Sequence, residues 1–193
     1  MRKKILLLIA ITAASLNLNA QIHVRISAGA ASGLIYSPAS EFVFDRPQDL
    51  YGIYGELYVL DHCSPLYQLD VSKQLRENIV AGLSIGTSNA SGYKRGVNNV
   101  NNLSKKRVHD YLLMGHTRVK YYSGGDFYLY CGAALGVGFK YIEEISKKDN
   151  DIFAAYELSP IGISIGTKRF SVFVEGAVGS VINGCRAGLK LTI

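Results

Sequence analysis

The chain has 193 residues, of which 48% are hydrophobic and 19% charged, with 20 Gly, 13 Tyr, 3 Cys and no Trp. One domain of about 100–200 residues accommodates this length, and the apolar fraction excludes a disordered chain. Three cysteines in a chain of this length exclude a disulfide scaffold. The abundance of Gly and Tyr favours strands and turns over helices.

The first twenty residues have the pattern of a secretory signal peptide. Basic residues at 2–4 precede the apolar run 5–14 and a short segment of small and polar residues that ends at Ala20. The apolar run is too short for a membrane-spanning helix, which needs about 20 residues. We therefore expect residues 1–20 to be a cleaved signal peptide and residues 21–193 to form one exported domain.

Removal of that segment changes the charge of the chain. The formal net charge of +6 falls to +3, because the signal peptide carries three basic residues. The remaining excess is small and the mature chain has no nucleic-acid-binding motif, so we do not expect a nucleic-acid partner.

The mature sequence alternates with a period of two residues, which is typical of β-strands. In 127–141, large apolar side chains occupy the odd positions, and the even positions are mostly small or Tyr. A soluble barrel turns its apolar face inward, whereas a membrane barrel turns it towards lipid. The Gly-, Ser- and Ala-rich opposite faces suit the narrow interior of an eight-stranded barrel. The alternation therefore predicts an apolar outer face.

Turn signals divide the mature chain into eight strands. The predicted strands are 22–35, 66–75, 79–90, 108–121, 126–141, 152–166, 169–179 and 184–193. They predict an all-β fold, an eight-stranded antiparallel up-and-down transmembrane β-barrel, and a 10-stranded barrel stays possible. We expect long polar connections at 91–107 and 143–151 and an outer hairpin extension at 50–60. A bulge near Pro160 would repair a change of phase within 152–166.

The C-terminal part of the chain resembles a known family. The segments that carry the resemblance are 130–138, 153–166, 169–179 and 184–193. They are similar to small outer-membrane β-barrel proteins of the OmpA/OmpX-like type, most of all those of Bacteroidetes-type bacteria. The resemblance covers roughly residues 66–193, although such barrels commonly end on Phe and this chain ends on Ile193. It implies a Gram-negative outer-membrane location, contact with outer-membrane lipid and with the insertion machinery, and often no known activity.

Ionisable residues on the small-residue face are expected to lie inside the barrel. They are His23, Arg25, Asp70, Asp110, His116, Arg118, Lys120, Lys140, Glu175, Arg186 and Lys190. An unpaired buried charge is costly, so these side chains should form a polar network that fills the lumen. Apart from the two histidines, the set holds six cations and three anions. This excess leaves open a narrow polar path or a small-anion site.

Three groups of residues suggest catalysis or cofactor binding, but their spacing along the strands does not fit these functions. Ser84, His116 and Asp110 suggest a hydrolase triad, but the last two lie six residues apart on one strand, about 20 Å at 3.3 Å per residue. The glycines of 132–138 alternate along a strand and precede no helix, so they do not form a phosphate loop. The three cysteines lack the spacing of metal ligands. We expect no catalytic residue, no metal and no cofactor.

The polar connection 91–107 is strongly basic. It holds five cations and no acid, namely Lys94, Arg95, Lys105, Lys106 and Arg107. If the connection faces outside, these charges lie near the phosphates of lipopolysaccharide. Each cation at an anionic membrane surface contributes about 1 kcal/mol to binding. We hypothesise that this segment contacts lipopolysaccharide.

These observations predict a small monomeric outer-membrane barrel with a filled polar lumen. Its role would be structural, or would depend on surface interactions of its external loops. Eight strands leave no aqueous channel, which disfavours an open porin. Two alternatives stay open: a soluble secreted or periplasmic barrel that binds an apolar ligand, and an outer-membrane barrel enzyme that modifies lipid.

Overall fold

A computed structural model describes residues 21–29, 57–95, 105–144 and 147–193 of the chain. Nine antiparallel strands make up the regular structure of these residues. No helix in the described ranges is long and apolar enough to cross a membrane. The predicted signal peptide, 1–20, and the segment 30–35 of the first predicted strand lie outside the described residues.

The nine strands follow the predicted alternation closely. They are β1 (Ile22–Gly29), β2 (Leu57–Cys63), β3 (Leu66–Arg76), β4 (Ile79–Arg95), β5 (Lys105–Gly124), β6 (Phe127–Glu144), β7 (Lys147–Gly166), β8 (Phe170–Gly179) and β9 (Asn183–Thr192). Buried and exposed residues alternate along each of β1, β3, β5 and β8. This is the burial pattern of a strand whose two faces meet different surroundings.

Eight of these strands close into a ring. β1 pairs with β3 and with β9, and each strand from β3 to β9 pairs with the next along the chain. The prediction of an eight-stranded antiparallel up-and-down barrel is confirmed, and the described residues provide eight ring positions rather than ten. The turns at 77–78, 125–126 and 167–169 lie at one end, which we call the inner end.

β2 occupies the same ring position as β3, further towards the opposite, outer end. It pairs with β4 from Leu57↔Arg95 to Cys63↔Ala90, and β3 pairs with the rest of β4. The two are one strand interrupted at Pro65, which has no N–H to donate to a ladder. Of the predicted outer hairpin extension, 57–60 is a strand that continues β3 outward, and 50–56 lies outside the described residues.

β4 to β7 continue beyond the ring at the outer end. The pairing of β7 with β8 ends at Glu157↔Gly179, but β7 reaches Lys147. With β2, the residues 88–95, 105–110, 139–144 and 147–156 form what we call the outer extension. The predicted long connections 91–107 and 143–151 are thus partly wrong, because their ends are paired strand. Polar residues on both faces there had removed the alternation that marks a half-buried strand.

β7 contains the bulge that the change of phase predicted. Its pairing with β8 jumps from Leu158↔Val178 to Ile161↔Gly176. Before Pro160 the odd positions of β7 are buried, and from Gly162 onward the even positions are buried. The bulge near Pro160 is confirmed, and it reverses which residues enter the bore.

The ring exposes apolar side chains and buries polar ones. Leu135, Leu189 and Leu191 are 71%, 49% and 47% exposed, and Leu129 is half-buried. Most of the charged residues predicted to lie inside are buried. The predicted apolar outer face is confirmed. An interior of this polarity does not offer the apolar cavity that a soluble ligand-binding barrel requires.

An apolar layer closes the bore towards the outer end. Val181 and Ile182, in the short connection between β8 and β9, are 4% and 0% exposed and pack with inward residues such as Met114 and Phe153. Ser180 holds this connection inward, because its backbone N–H donates to the carbonyl of Tyr156 over 3.0 Å. We call residues 180–182 the plug.

Candidate functional site

Six charged side chains from six strands meet inside the barrel. They are Arg25 on β1, Asp70 on β3, Arg118 on β5, Glu157 on β7, Glu175 on β8 and Arg186 on β9. All six are buried, and each points inward because every second residue of a strand faces the same side. Together with Tyr130 we call them the ion-pair network.

Glu175 is the hub of the network. Arg25 donates from Nη2 to its Oε2 over 2.9 Å, and the hydroxyl of Tyr130 donates to the same oxygen over 2.6 Å. Arg186 donates from Nε to the other carboxylate oxygen, and Nε of Arg118 lies 3.9 Å from Oε2. Three guanidinium groups therefore surround one carboxylate, and charge-assisted hydrogen bonds of this kind are the strong ones.

Two further carboxylates complete the pairing of the arginines. Arg186 binds Glu157 through both terminal nitrogens, with 3.0 Å between Nη1 and Oε2. The same Nη1 donates to the side-chain carbonyl of Gln68. Arg118 donates from Nη2 to Asp70. Three arginines are thus matched by three carboxylates, which offsets the large cost of burying each charge alone.

Aromatic rings fit tightly around the arginines. The guanidinium of Arg25 stacks on Phe173, with its central carbon 3.5 Å from the ring centroid. Tyr130 lies against Gly162, where a Cβ atom would be 2.3 Å from the Cζ atom of the tyrosine. A glycine is required at that position because the ring occupies the space of any side chain.

Glu157 is the member of the network that sequence reasoning missed. Its odd position in β7 matches the outward residues Ile161 and Ile163, so alternation alone places Glu157 on the outer face. The bulge at Pro160 was itself predicted, and carrying its reversal of parity back along the strand places Glu157 inside. With Glu157 included, the predicted excess of positive charge in the lumen shrinks.

The remaining positive charge lies near the inner end. Lys140 stands opposite Asp110 in the pairing of β5 with β6, so these two balance each other. Lys190 donates to the hydroxyl of Tyr128 over 2.8 Å, and Lys120 lies 5.0 Å from the centroid of the same ring. Lys190 is buried and Lys120 is half-buried.

A cavity of about 350 Å³ opens at the inner end beneath these lysines. Lys168, Asp126 and Gln74 line its rim. His23 lines its inner wall, and one of its ring nitrogens, Nδ1, lies 2.9 Å from the hydroxyl of Thr192. We call this cavity the vestibule.

The ion-pair network fills the bore beyond the vestibule. The spaces beside it measure about 30 Å³ and 10 Å³. One water needs roughly 10–15 Å³ of such space. The two spaces beside the network therefore hold about one to three waters, or a small ion, each.

Ser84 and His116 come together, but Asp110 does not join them as an orienting group. The hydroxyl of Ser84 lies 2.7 Å from Nδ1 of His116, and both side chains are buried. Asp110 pairs across the sheet with Ser88 and Lys140, six residues along β5 from His116. The space beside His116 is about 10 Å³, which is too small for a lipid substrate.

The five cations expected in an external loop lie on the ends of two paired strands. Lys94 and Arg95 end β4, and Lys105, Lys106 and Arg107 begin β5. Lys106 and Arg107 stand opposite Glu144 and Glu143 of β6. The basic segment is therefore opposed by two acids of the next strand, a pairing that the linear sequence does not display.

The described residues contain no group of three or more His, Cys, Asp or Glu side chains that could hold a metal ion. Cys63 lies at the end of β2 in the outer extension. Its partial burial, together with the nearby carboxylate of Asp110, raises the pKa of the Cys63 thiol. The thiol is therefore protonated at neutral pH, which is the unreactive form.

The fold and its bore define a class: an eight-stranded up-and-down β-barrel that is apolar outside and filled by ion pairs. No family model matches this sequence, and no curated protein sequence matches it either. Among solved structures, that of Ail, the attachment invasion locus protein of Yersinia pestis, is similar over 90% of this chain and 93% of that chain. The identity is 11% and the TM-score 0.37.

Proposed function

We propose that this chain is a small outer-membrane β-barrel protein of the OmpA/OmpX-like type, with a filled polar lumen. The inversion of polarity carries the proposal, since the ring buries arginines and carboxylates and exposes leucine, isoleucine and valine. A soluble monomer rarely exposes an apolar patch larger than a few hundred Å², whereas lipid covers such a surface favourably. We include in this proposal the resemblance of the C-terminal segments to barrels of Bacteroidetes-type bacteria.

Aromatic side chains support a membrane position. Tyr121, Tyr122, Phe127 and Phe170 are exposed on the outer face at the inner end. A second set is exposed towards the outer end, namely Tyr67, Tyr111, Phe139 and Tyr156. Aromatic rings prefer the two interfaces of a bilayer, and transmembrane barrels carry such girdles above and below an apolar band.

Export and assembly follow from the same proposal. Residues 1–20 would direct the chain out of the cytoplasm, and the outer-membrane insertion machinery would then fold the barrel as a monomer. The inner end, where short turns join the strands, would face the periplasm, and the outer extension would face the outside.

Fractionation of cells that express the full chain tests the location. We expect recovery with outer membranes, extraction only by detergent, and faster gel migration of the unboiled than of the boiled protein. Recovery in the periplasm without detergent, with no difference between boiled and unboiled samples, would contradict the proposal.

We further propose that the outer extension provides the surface role, through contact with lipopolysaccharide. The contact would be made by Lys94, Arg95, Lys105, Lys106 and Arg107. Lys105 and Arg107 are exposed, and cations attract the phosphates of an anionic leaflet.

Replacing all five cations by Gln should reduce the lipopolysaccharide that copurifies with the barrel. A control variant replaces three exposed cations of the inner end, Arg76, Lys168 and Arg169, and should leave the amount unchanged. Equal amounts from wild type and the five-site variant would reject the contact.

We propose no catalytic activity for this barrel. The Ser84–His116 pair is the one constellation that resembles catalytic machinery among the described residues, and it is buried beside a space of about 10 Å³. Mass spectra of lipid A from cells with and without the protein should be identical. A new acylated or deacylated species that disappears in the Ser84→Ala variant would overturn this expectation.

A further inference from the structure

A small pocket between the vestibule and the ion-pair network is surrounded by basic side chains. It measures about 30 Å³. His23, Arg25, Arg118, Lys120 and Lys190 line it, and no carboxylate is among its lining residues in the described chain. The carboxylates that Arg25 and Arg118 bind, Glu175 and Asp70, do not line the pocket. The lining itself therefore presents only basic and neutral side chains.

Three of the residues lining the pocket keep a buried nitrogen without a hydrogen-bond partner. These atoms are Nε2 of His23, Nε of Arg25 and Nη1 of Arg118. The three residues are 4%, 5% and 7% exposed. A buried donor that lacks an acceptor is costly, and guanidinium N–H groups can only donate. The two arginines that line the pocket therefore have unused N–H donors.

The charges around the pocket do not cancel. Arg25 and Arg118 give their remaining contacts to Glu175 and Asp70, which belong to the balanced network. The positive charges of Lys120 and Lys190 remain. Lys190 donates to the neutral hydroxyl of Tyr128, and the ammonium groups of both lysines lie near the ring of that tyrosine. Two positive charges are thus uncompensated at the inner side of the network, which matches the charge of a dianion.

We propose that this pocket binds one phosphate group from the inner end of the barrel. About 30 Å³ is space for a group of a few heavy atoms, not for a whole metabolite. Lys120 and Lys190 neutralise the group, and the unused N–H groups of Arg25 and Arg118 donate to its oxygens. The vestibule of about 350 Å³ adjoins the pocket and has room for the rest of an organic phosphate.

Calorimetric titration of the refolded full barrel in neutral detergent micelles tests the site. Inorganic phosphate is added at constant ionic strength, with chloride as the compensating anion, and we expect saturable binding at one site per chain. The double variant Lys120→Gln/Lys190→Gln should bind at least about tenfold more weakly, because each lost charge-assisted hydrogen bond costs tenfold or more.

Lys148→Gln is the control for the loss of a lysine outside the pocket. Lys148 is an exposed lysine of the outer extension, and its removal changes the net charge without touching the pocket. Its affinity for phosphate should equal that of the wild type. Heat-modifiable gel migration of every variant establishes that the barrel is folded, so that lost binding is not lost structure.

The source of the phosphate is identified in a second titration with glycerol 3-phosphate. Tighter binding than inorganic phosphate assigns an organic phosphate that also contacts the vestibule, and equal or weaker binding assigns the free ion. No saturable phosphate binding, or the same loss in Lys148→Gln as in the double variant, overturns the site. Because the titration is made in micelles, its failure is independent of where the barrel resides in the cell.

Discussion

The ring and the outer extension are built from the same strands, but charged side chains have different surroundings in the two regions. In the ring, Arg186 and Glu175 are both nearly inaccessible to solvent. In the outer extension, Arg107 and Glu143 stand opposite each other on β5 and β6 with access to water. The two regions thus place an arginine and a glutamate opposite each other on neighbouring strands in two different environments.

Burial decides what each pair contributes. An exposed ion pair gains 0–1 kcal/mol, roughly, since water solvates both partners as well as they solvate each other. A buried pair contributes little to stability compared with an apolar replacement. Removing one partner, however, leaves the other charge unpaired in a poorly solvated site. The ring should therefore be sensitive to the loss of a single charge, and the outer extension should tolerate it.

The largest effect is expected from Glu175→Ala. This variant leaves Arg25, Arg118 and Arg186 with two carboxylates instead of three, so unfolding should become easier by about 3–5 kcal/mol. Urea unfolding in lipid vesicles, followed by the gel migration of unboiled samples, measures the change.

Glu143→Ala is the partner experiment in the outer extension. It removes a carboxylate that water reaches and that stands opposite Arg107, and the expected loss is at most about 1 kcal/mol. Similar losses in the two variants would mean that the network is hydrated, and the contrast between the regions would then be wrong.

The outer faces of the two regions should differ as well. Val174 lies midway along β8, half exposed on the apolar face of the ring, and Asn150 is exposed on β7 in the outer extension. Arginine at the middle of a bilayer costs about 2–4 kcal/mol, so Val174→Arg should destabilise the barrel by that amount in vesicles. Asn150→Arg should change stability by less than about 0.5 kcal/mol. A negligible effect of Val174→Arg would indicate that water, not lipid, covers the ring.

The same contrast explains how far the sequence could predict the fold. Within the ring, lipid and a packed bore impose opposite demands on alternate residues. Period-two alternation therefore revealed all eight ring positions and the direction of their faces, except in the part of β7 before the bulge at Pro160. In the outer extension both faces carry polar residues, and the ends of β4 to β7 therefore read as loops. The continuation of β3 into β2 was hidden for a different reason, because Pro65 interrupts the ladder without ending the strand.

The sequence predicted most of the residues of the ion-pair network, but not which of them pair with each other. Parity alone placed Arg25, Asp70 and Glu175 on inward faces. Which carboxylate meets which arginine depends on how far neighbouring strands shift around the ring, and only the closed barrel fixes that shift. Glu157 was lost because one bulge inverts the parity of everything before it. Ser84 and His116 were likewise brought within hydrogen-bonding distance by strand pairing, 32 residues apart in the chain.

A smaller effect than that of Val174→Arg is expected where the ring meets the outer extension, at the plug. Ile182 is fully buried in the apolar layer, and Ile161 is an isoleucine of similar size on the outer face of the ring. Ile182→Val removes one methylene from a close-packed site and should cost about 0.5–1.5 kcal/mol. Ile161→Val should cost less, because fluid lipid fills the space that a missing methyl group leaves. If the two variants unfold at the same urea concentration, the plug is not close-packed against the inward residues of the ring, and it does not close the bore.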